Sequence, residues 1–285
     1  MHSGHRHLIN KLVSLSENKS HKSVLITFNP NPYIILNNIN PKEYHIISRE
    51  KKYNLIEKIG VDILLEINFN YSTSNIKAYD FLKNFIVTPF NPIDIVVGYD
   101  HHFGKDREGN ASFLRKYQDE FNYKLHTVEP FILNKETASS SLIRKLILSG
   151  NLSKANAHLG RNYELSGVVT KGTKVGREMS FPTANIALSS VKQLMPNNGV
   201  YFIKAVVQED SYYGMCNIGC KPTFEKVEER SMEVHLFNYN KYDLYDKYIV
   251  IEFVDYIRSE KKFDTREDLK KQLEKDKEYC MNILG

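Results

Sequence analysis

The stretch Ser166–Leu188, SGVVTKGTKVGREMSFPTANIAL, decides how this chain is read. Gly172 and Gly176 frame Lys174, and Arg177 follows. Glycines let backbone N–H groups come close to an anion, and the two cations add charge. Thr183 and Asn185 stand two residues apart, so on an extended strand they share one face. Both offer hard oxygens of the kind suited to a Mg²⁺ ion that keeps most of its waters and bridges to phosphates. Taken alone, the residues leave a plain alternative open, a hairpin turn followed by a strand.

Working outward, 285 residues are enough for two domains, each with its own core. A formal net charge of +5 suits anionic small ligands and is too mild and dispersed to imply nucleic acid. The three cysteines, Cys216, Cys220 and Cys280, form no disulfide framework and offer no zinc pair, which fits a reducing compartment. There is no apolar run long enough to span a bilayer and no signal-peptide core, so a cytoplasmic protein without a membrane partner is expected.

The first half alternates helical and strand patterns. Helices are predicted over 4–16, 49–59, 75–85 and 111–121, and strands over 24–28, 61–67, 93–98 and 123–128. That alternation argues for a parallel sheet with both faces covered and ligands at the strands' C-terminal ends. Three clusters fall at such ends: His2-Ser-Gly-His5, Gly98-Tyr-Asp100-His-His-Phe-Gly-Lys105 and Ser139-Ser140-Ser141-Leu-Ile-Arg144. Histidines at a helix start can neutralise phosphate oxygens where the dipole already favours anions. The serines and Arg144 offer hydroxyls, N–H groups and a cation together, although a simple helix cap uses the same residues.

Helices over 144–148 and 152–159 lead to Gly160, and the period then changes. Short alternating runs at 163–170, 199–207, 212–218, 232–239 and 248–257 predict an antiparallel barrel or sandwich. A helix over 265–284, capped by Thr265, closes the chain. The domain boundary is placed at 160/161. In the run Met232-Glu233-Val234-His235-Leu236 the polar residues alternate with apolar ones, which a half-wet strand face also explains.

The pattern G-x₃-G-R-x₃-F-P-T-A-N resembles the signature of riboflavin kinases, and the chain as a whole is similar to bacterial bifunctional riboflavin kinase/FMN adenylyltransferases. H-x-G-H, V-V-G-Y-D-x-x-F-G-K, S-S-S-x-I-R, P-N-N-G-V-Y, N-I-G-x-x-P-T-F and E-V-H-L-F recur in the family's order. The resemblance implies an α/β plus β architecture: a nucleotidyltransferase-type parallel sheet over 1–160, then a barrel with a terminal helix over 161–285. It implies two ATP-dependent steps, riboflavin to FMN and FMN to FAD, with Mg²⁺ as the metal. By the same likeness Glu233 is the kinase's general base, and Thr183 and Asn185 hold the metal. Gly172, Lys174 and Gly176 lie against the phosphates, and Asn198 and Arg258 stand on the flavin side. His2 and His5 stabilise the triphosphate in adenylyl transfer, Ser140, Ser141 and Arg144 hold phosphate oxygens, and Asp100 shapes the nucleotide site.

The chain also departs from the family pattern. It has Pro30-Asn31-Pro32 for P-H-P, His101-His102-Phe103-Gly104 for F-x-F-G, Ser141 for Thr, and Ser180 for Gly. The family places a central strand ahead of H-x-G-H, whereas here His2 follows Met1 directly. The expectation is that Met1 is a misassigned start or that the chain is truncated, and intact mass of the native protein decides it. If Met1 is genuine, the adenylyltransferase half is expected to be crippled. Two rival readings therefore stand beside the favoured one. One is a riboflavin kinase with an inactive first domain; the other is a flavin- or nucleotide-responsive binding protein without turnover.

Overall fold

The computed structural model describes residues 1–39, 44–170, 181–190, 192–221, 229–240 and 243–285. The chain divides into two compact units, Met1–Pro41 with Arg49–Ser139 and Lys42–Ser48 with Ser140–Gly285. The glycine-framed turn of Gly172, Lys174 and Gly176 lies outside the described residues.

In the first unit, helix α1 (Ser3–Lys19) leads into strand β1 (Val24–Asn29). The short helix α2 (Pro32–Leu36) follows, and then α3 (Arg49–Ile59) and β2 (Ile63–Asn68). Ile9 and Val13 of α1 pack with Ile56 of α3, with Leu25 of β1 and Leu64 of β2 alongside. β1 and β2 pair in parallel from Val24↔Ile63 to Asn29↔Asn68.

The helix predicted over 75–85 is broken. α4 (Tyr71–Ser74) is capped by Asn70, whose side chain accepts from the Thr73 N–H at 2.9 Å. α5 (Ala78–Phe81) widens into a π turn over Leu82–Val87, and α6 (Thr88–Phe90) ends the segment. Pro89 has no N–H to return to the carbonyl four residues earlier, so regular α bonding cannot continue through it.

β3 (Asp94–Gly98), α7 (Ala111–Tyr117) and β4 (Lys124–Val128) follow, and then the small hairpin of β5 (Ile132–Leu133) and β6 (Glu136–Thr137). β3 and β4 pair in parallel, and Ile95 and Val97 join Ile67, Leu82 and Leu114 in one core. The parallel α/β class is as the sequence implied. Its sheet, however, is two parallel pairs, and no described strand joins them.

The second unit is built on a closed six-stranded antiparallel barrel. Helices α8 (Ser140–Leu148) and α9 (Leu152–Leu159) come first, and α9 ends where Gly160, at φ 68°, donates to the carbonyls of Asn156 and Ala157. The strands are β7 (Tyr163–Thr170), β8 (Ala184–Leu188), β9 (Gly199–Val207), β10 (Asp210–Lys221), β11 (Glu229–Leu236) and β12 (Tyr248–Arg258). They close in the order β10-β11-β8-β7-β12-β9. Leu165, Ile186, Ile218, Met232, Val234 and Ile251 face one core, which also takes Ile143, Ile147 and Leu152 from α8 and α9. The outer face carries a second cluster of Phe181, Phe202, Met215 and Phe237 with Cys280 of the terminal helix α10 (Arg266–Leu284). Thr265 caps α10, its hydroxyl accepting from the Asp268 N–H at 3.1 Å.

Gly214 of β10 pairs with Leu236 of β11, and a Cβ there would run into the carbonyl of His235. The β11 backbone occupies the place that a side chain here would need. Gly214→Ala is therefore expected to cost about 1–3 kcal/mol, the usual range for overpacking. Urea unfolding checks this, and an unchanged midpoint would contradict it.

Candidate active site

The paired residues of four neighbouring strand contacts form one row across the barrel: Asn185 (β8), Glu233 (β11), Asn217 (β10), Val200 (β9) and Arg258 (β12). Residues directly opposite in a ladder share a face, so Asn185, Glu233 and Asn217 lie side by side. Met232 and Val234 turn into the core, and alternation then forces Glu233 to the other face. The Thr183 hydroxyl, just before β8, donates to Glu233 Oε2 at 3.3 Å. Thr183 is exposed, Glu233 is half-buried, and Asn185 is buried. Three residues singled out in the sequence are thus brought to one place.

His235 shares the face of Glu233, two residues along. Its Nδ1–H donates to the Pro182 carbonyl at 2.9 Å, and its ring lies 5.0 Å from that of Phe181. Burial lowers its pKa, partly offset by the bond to the Pro182 carbonyl, and Lys277 adds to the lowering. His235 therefore holds the chain just ahead of Thr183. The sequence showed only its alternation with Glu233. Asn217, opposite Glu233, was likewise legible only as part of a longer motif.

The donor set is a hydroxyl, an amide and a carboxylate, all hard oxygens. Among the described residues no group of three His, Cys, Asp or Glu could cage a metal ion. A cation here would have to complete its shell with water and phosphate oxygens. This is how a small divalent cation is ordinarily held with a nucleotide, so the residues fit the group.

Elsewhere in the second unit, Asn198 donates to Cys220 Sγ at 3.4 Å and accepts from Arg230 Nε at 3.2 Å. Arg258 is engaged by Asp276 of α10, with Nε 2.9 and 3.0 Å from the two carboxylate oxygens. Ser140 and Ser141 open α8. Arg144 stacks over the Tyr44 ring at 4.0 Å, and its Nε donates to the Tyr44 carbonyl at 3.1 Å.

In the first unit, the His2 backbone N–H donates to Nδ1 of His5 at 3.4 Å, and the two rings lie 3.9 Å apart. Desolvation holds the His5 imidazole well below its ordinary pKa, and the neighbouring basic groups, His2 first and Lys52 among them, add to the shift. Asp100 is exposed just past the end of β3, where its carbonyl meets His102 Nδ1 at 2.8 Å.

A family profile for riboflavin kinase matches residues 159–284, and one for FAD synthetase matches residues 1–142. A bifunctional riboflavin kinase/FMN adenylyltransferase of Buchnera aphidicola (subsp. Schizaphis graminum) is 38% identical over 289 residues, covering 100% of this chain and 91% of the relative. Its counterpart in Bacillus subtilis is 34% identical over 289 residues, covering 100% and 90%. Among solved structures, a chain described as a macrolide-efflux protein from Streptococcus pneumoniae superposes with a TM-score of 0.90 at 31% identity, over 99% of this chain and 90% of that one. No described helix of this chain is long and apolar enough to cross a membrane. With each half matched by its own profile and relatives aligned along its full length, this chain belongs to the bifunctional riboflavin kinase/FMN adenylyltransferase family.

Proposed function

We propose that this protein phosphorylates riboflavin to FMN and then adenylylates FMN to FAD, with ATP as co-substrate in both steps. The observation that carries the reading is the meeting of Thr183, Asn185 and Glu233 on one barrel face. A bare binding site has no need of a carboxylate placed between two oxygen donors.

In the kinase step Glu233 takes the proton from the ribityl 5′-hydroxyl as that oxygen attacks the γ-phosphorus. The bond from the γ-phosphorus to its bridging oxygen breaks and ADP leaves. Thr183 and Asn185 hold the divalent cation, for which Mg²⁺ is the proposed identity. When bound, it offsets phosphate charge and aligns the terminal phosphoryl group. Gly172, Lys174 and Gly176 are assigned to the phosphates, and Asn198 and Arg258 to the flavin side.

In the second step a phosphate oxygen of FMN attacks the α-phosphorus of ATP, and pyrophosphate leaves without a covalent enzyme intermediate. His2 and His5 are assigned to the triphosphate, Ser140, Ser141 and Arg144 to phosphate oxygens, and Asp100 to the nucleotide. Catalysis of this kind is positioning and charge stabilisation. The functional boundary is proposed at 160/161, supported by profile matches that end at 142 and begin at 159. The proposed location is the cytoplasm, where riboflavin and ATP meet.

Incubation with riboflavin, ATP and Mg²⁺, followed by separation of the flavins, is expected to give FMN and then FAD. FMN without FAD would confine the activity to the barrel, and the absence of both would overturn the reading.

A further inference from the structure

We propose that Lys52 is a further anion-binding residue of the first unit, its ammonium taking a phosphate oxygen of a substrate in the adenylyl-transfer step. The inference rests on the reading of that unit given above and assigns a residue that none of the sequence motifs contains.

The placement follows from the packing. α1 and α3 each run back along the parallel β1–β2 pair, so both begin at the strands' C-terminal end. Ile9 of α1 and Ile56 of α3 lie in one core cluster. His5 precedes Ile9 by one turn and Lys52 precedes Ile56 by one turn, which brings both to that same end. Lys52 Nζ donates to Thr27 Oγ1 at 2.7 Å, on the C-terminal half of β1. An ammonium has three donors, and this bond uses one.

The nearest acid does not pair with it. Glu66 is taken up by Arg49, by the Tyr53 hydroxyl and by Asn29 Nδ2, the last at 3.1 Å. Among the described residues no carboxylate lies at ion-pair distance from Lys52. Burial lowers the ammonium's pKa, with Glu66 opposing the shift and Arg49 adding to it. The His5 imidazole is also held low, so it is neutral near pH 7 and carries little charge of its own. Lys52 is then a positive side chain close enough to the paired histidines to act on His5, together with the chain's N-terminal amine. A partly desolvated cation whose neighbouring carboxylate is shared with Arg49 is incompletely compensated, and a phosphate group would supply the missing charge.

Two measurements on the full chain test this. In the first, FMN and ATP are converted to FAD by Lys52→Met and Lys52→Arg, with riboflavin-to-FMN turnover and thermal unfolding recorded on the same samples. Lys52→Met is expected to lose about 30-fold in kcat/KM, the scale of one charge-assisted hydrogen bond, and Lys52→Arg to recover most of it. In the second, amine acetylation of Lys52 in the wild type is followed by peptide mass spectrometry with inorganic pyrophosphate or FMN present. Protection by pyrophosphate with a raised KM for ATP assigns the contact to the triphosphate. Protection by FMN with a raised KM for FMN assigns it to the flavin phosphate.

No protection by either anion overturns the proposal. So does an equal loss in both variants accompanied by a lower melting temperature, which is the mark of a packing role. Protection of Lys52 in a wild type that forms no FAD would sink the adenylyltransferase reading and leave the contact standing.

Discussion

The Glu233→Gln protein is expected to form FMN about a thousandfold more slowly than the wild type, within the range for loss of a positioned general base. Its affinity for ATP should stay nearly unchanged. The substitution keeps the size of the side chain and an oxygen that can accept the Thr183 hydroxyl, now 3.3 Å from Oε2. What it removes is the capacity to take a proton. Strand β11 itself is held by Met232 and Val234 in the barrel core, neither of which is altered. Steady-state kinetics with riboflavin, together with equilibrium binding of ATP, separate the two effects. Turnover within about tenfold of wild type would remove Glu233 from the role of base.

Asp276→Leu should produce the largest loss of stability, about 3–5 kcal/mol, as expected when one member of a buried ion pair is removed. Asp276 is 2% exposed, and its carboxylate receives Arg258 Nε, Arg258 Nη2 at 2.7 Å and Gln272 Nε2 at 2.8 Å. Without it the Arg258 guanidinium stays packed between β12 and α10 with no counter-charge. The double substitution Arg258→Met with Asp276→Leu removes both charges and should recover most of the loss. Urea unfolding of the two single variants and the double closes the cycle. If Asp276→Leu shifts stability by less than about 1 kcal/mol, the pair does not hold α10 to the barrel.

The pair also bears on how Arg258 is understood. Sequence likeness placed it on the flavin side, and it does end the paired row that contains Glu233. Its guanidinium is nonetheless occupied by a residue 18 positions further on, in another element. No spacing rule announces such a partner, because it depends on where α10 packs.

Much of the architecture was legible because it rests on local periods. The strands at Tyr163–Thr170 and Gly199–Val207 alternate buried and less buried residues over part or all of their length. α3 matches its predicted limits, and Thr265 caps α10 as its spacing to Asp268 implied. The segment over 75–85 misled, because its apolar spacing is helical while Pro89 and the turns before it interrupt regular bonding. The single parallel sheet was likewise an inference from alternation, and alternation carries no information about which strands pair.

For the site, the amino-acid order alone set Thr183 and Asn185 two residues apart, which gives them one face wherever the chain is extended. It also determined that Glu233 stands opposite Met232 and Val234 across its own strand. Only the tertiary structure decided that these two faces are one, through the pairing of β8 with β11 that sets Asn185 against Glu233. That pairing joins residues far apart in the chain and follows from barrel closure, which brings together whichever strands bury the shared core. A local pattern can orient a side chain, but its partner across the sheet is chosen by the whole fold.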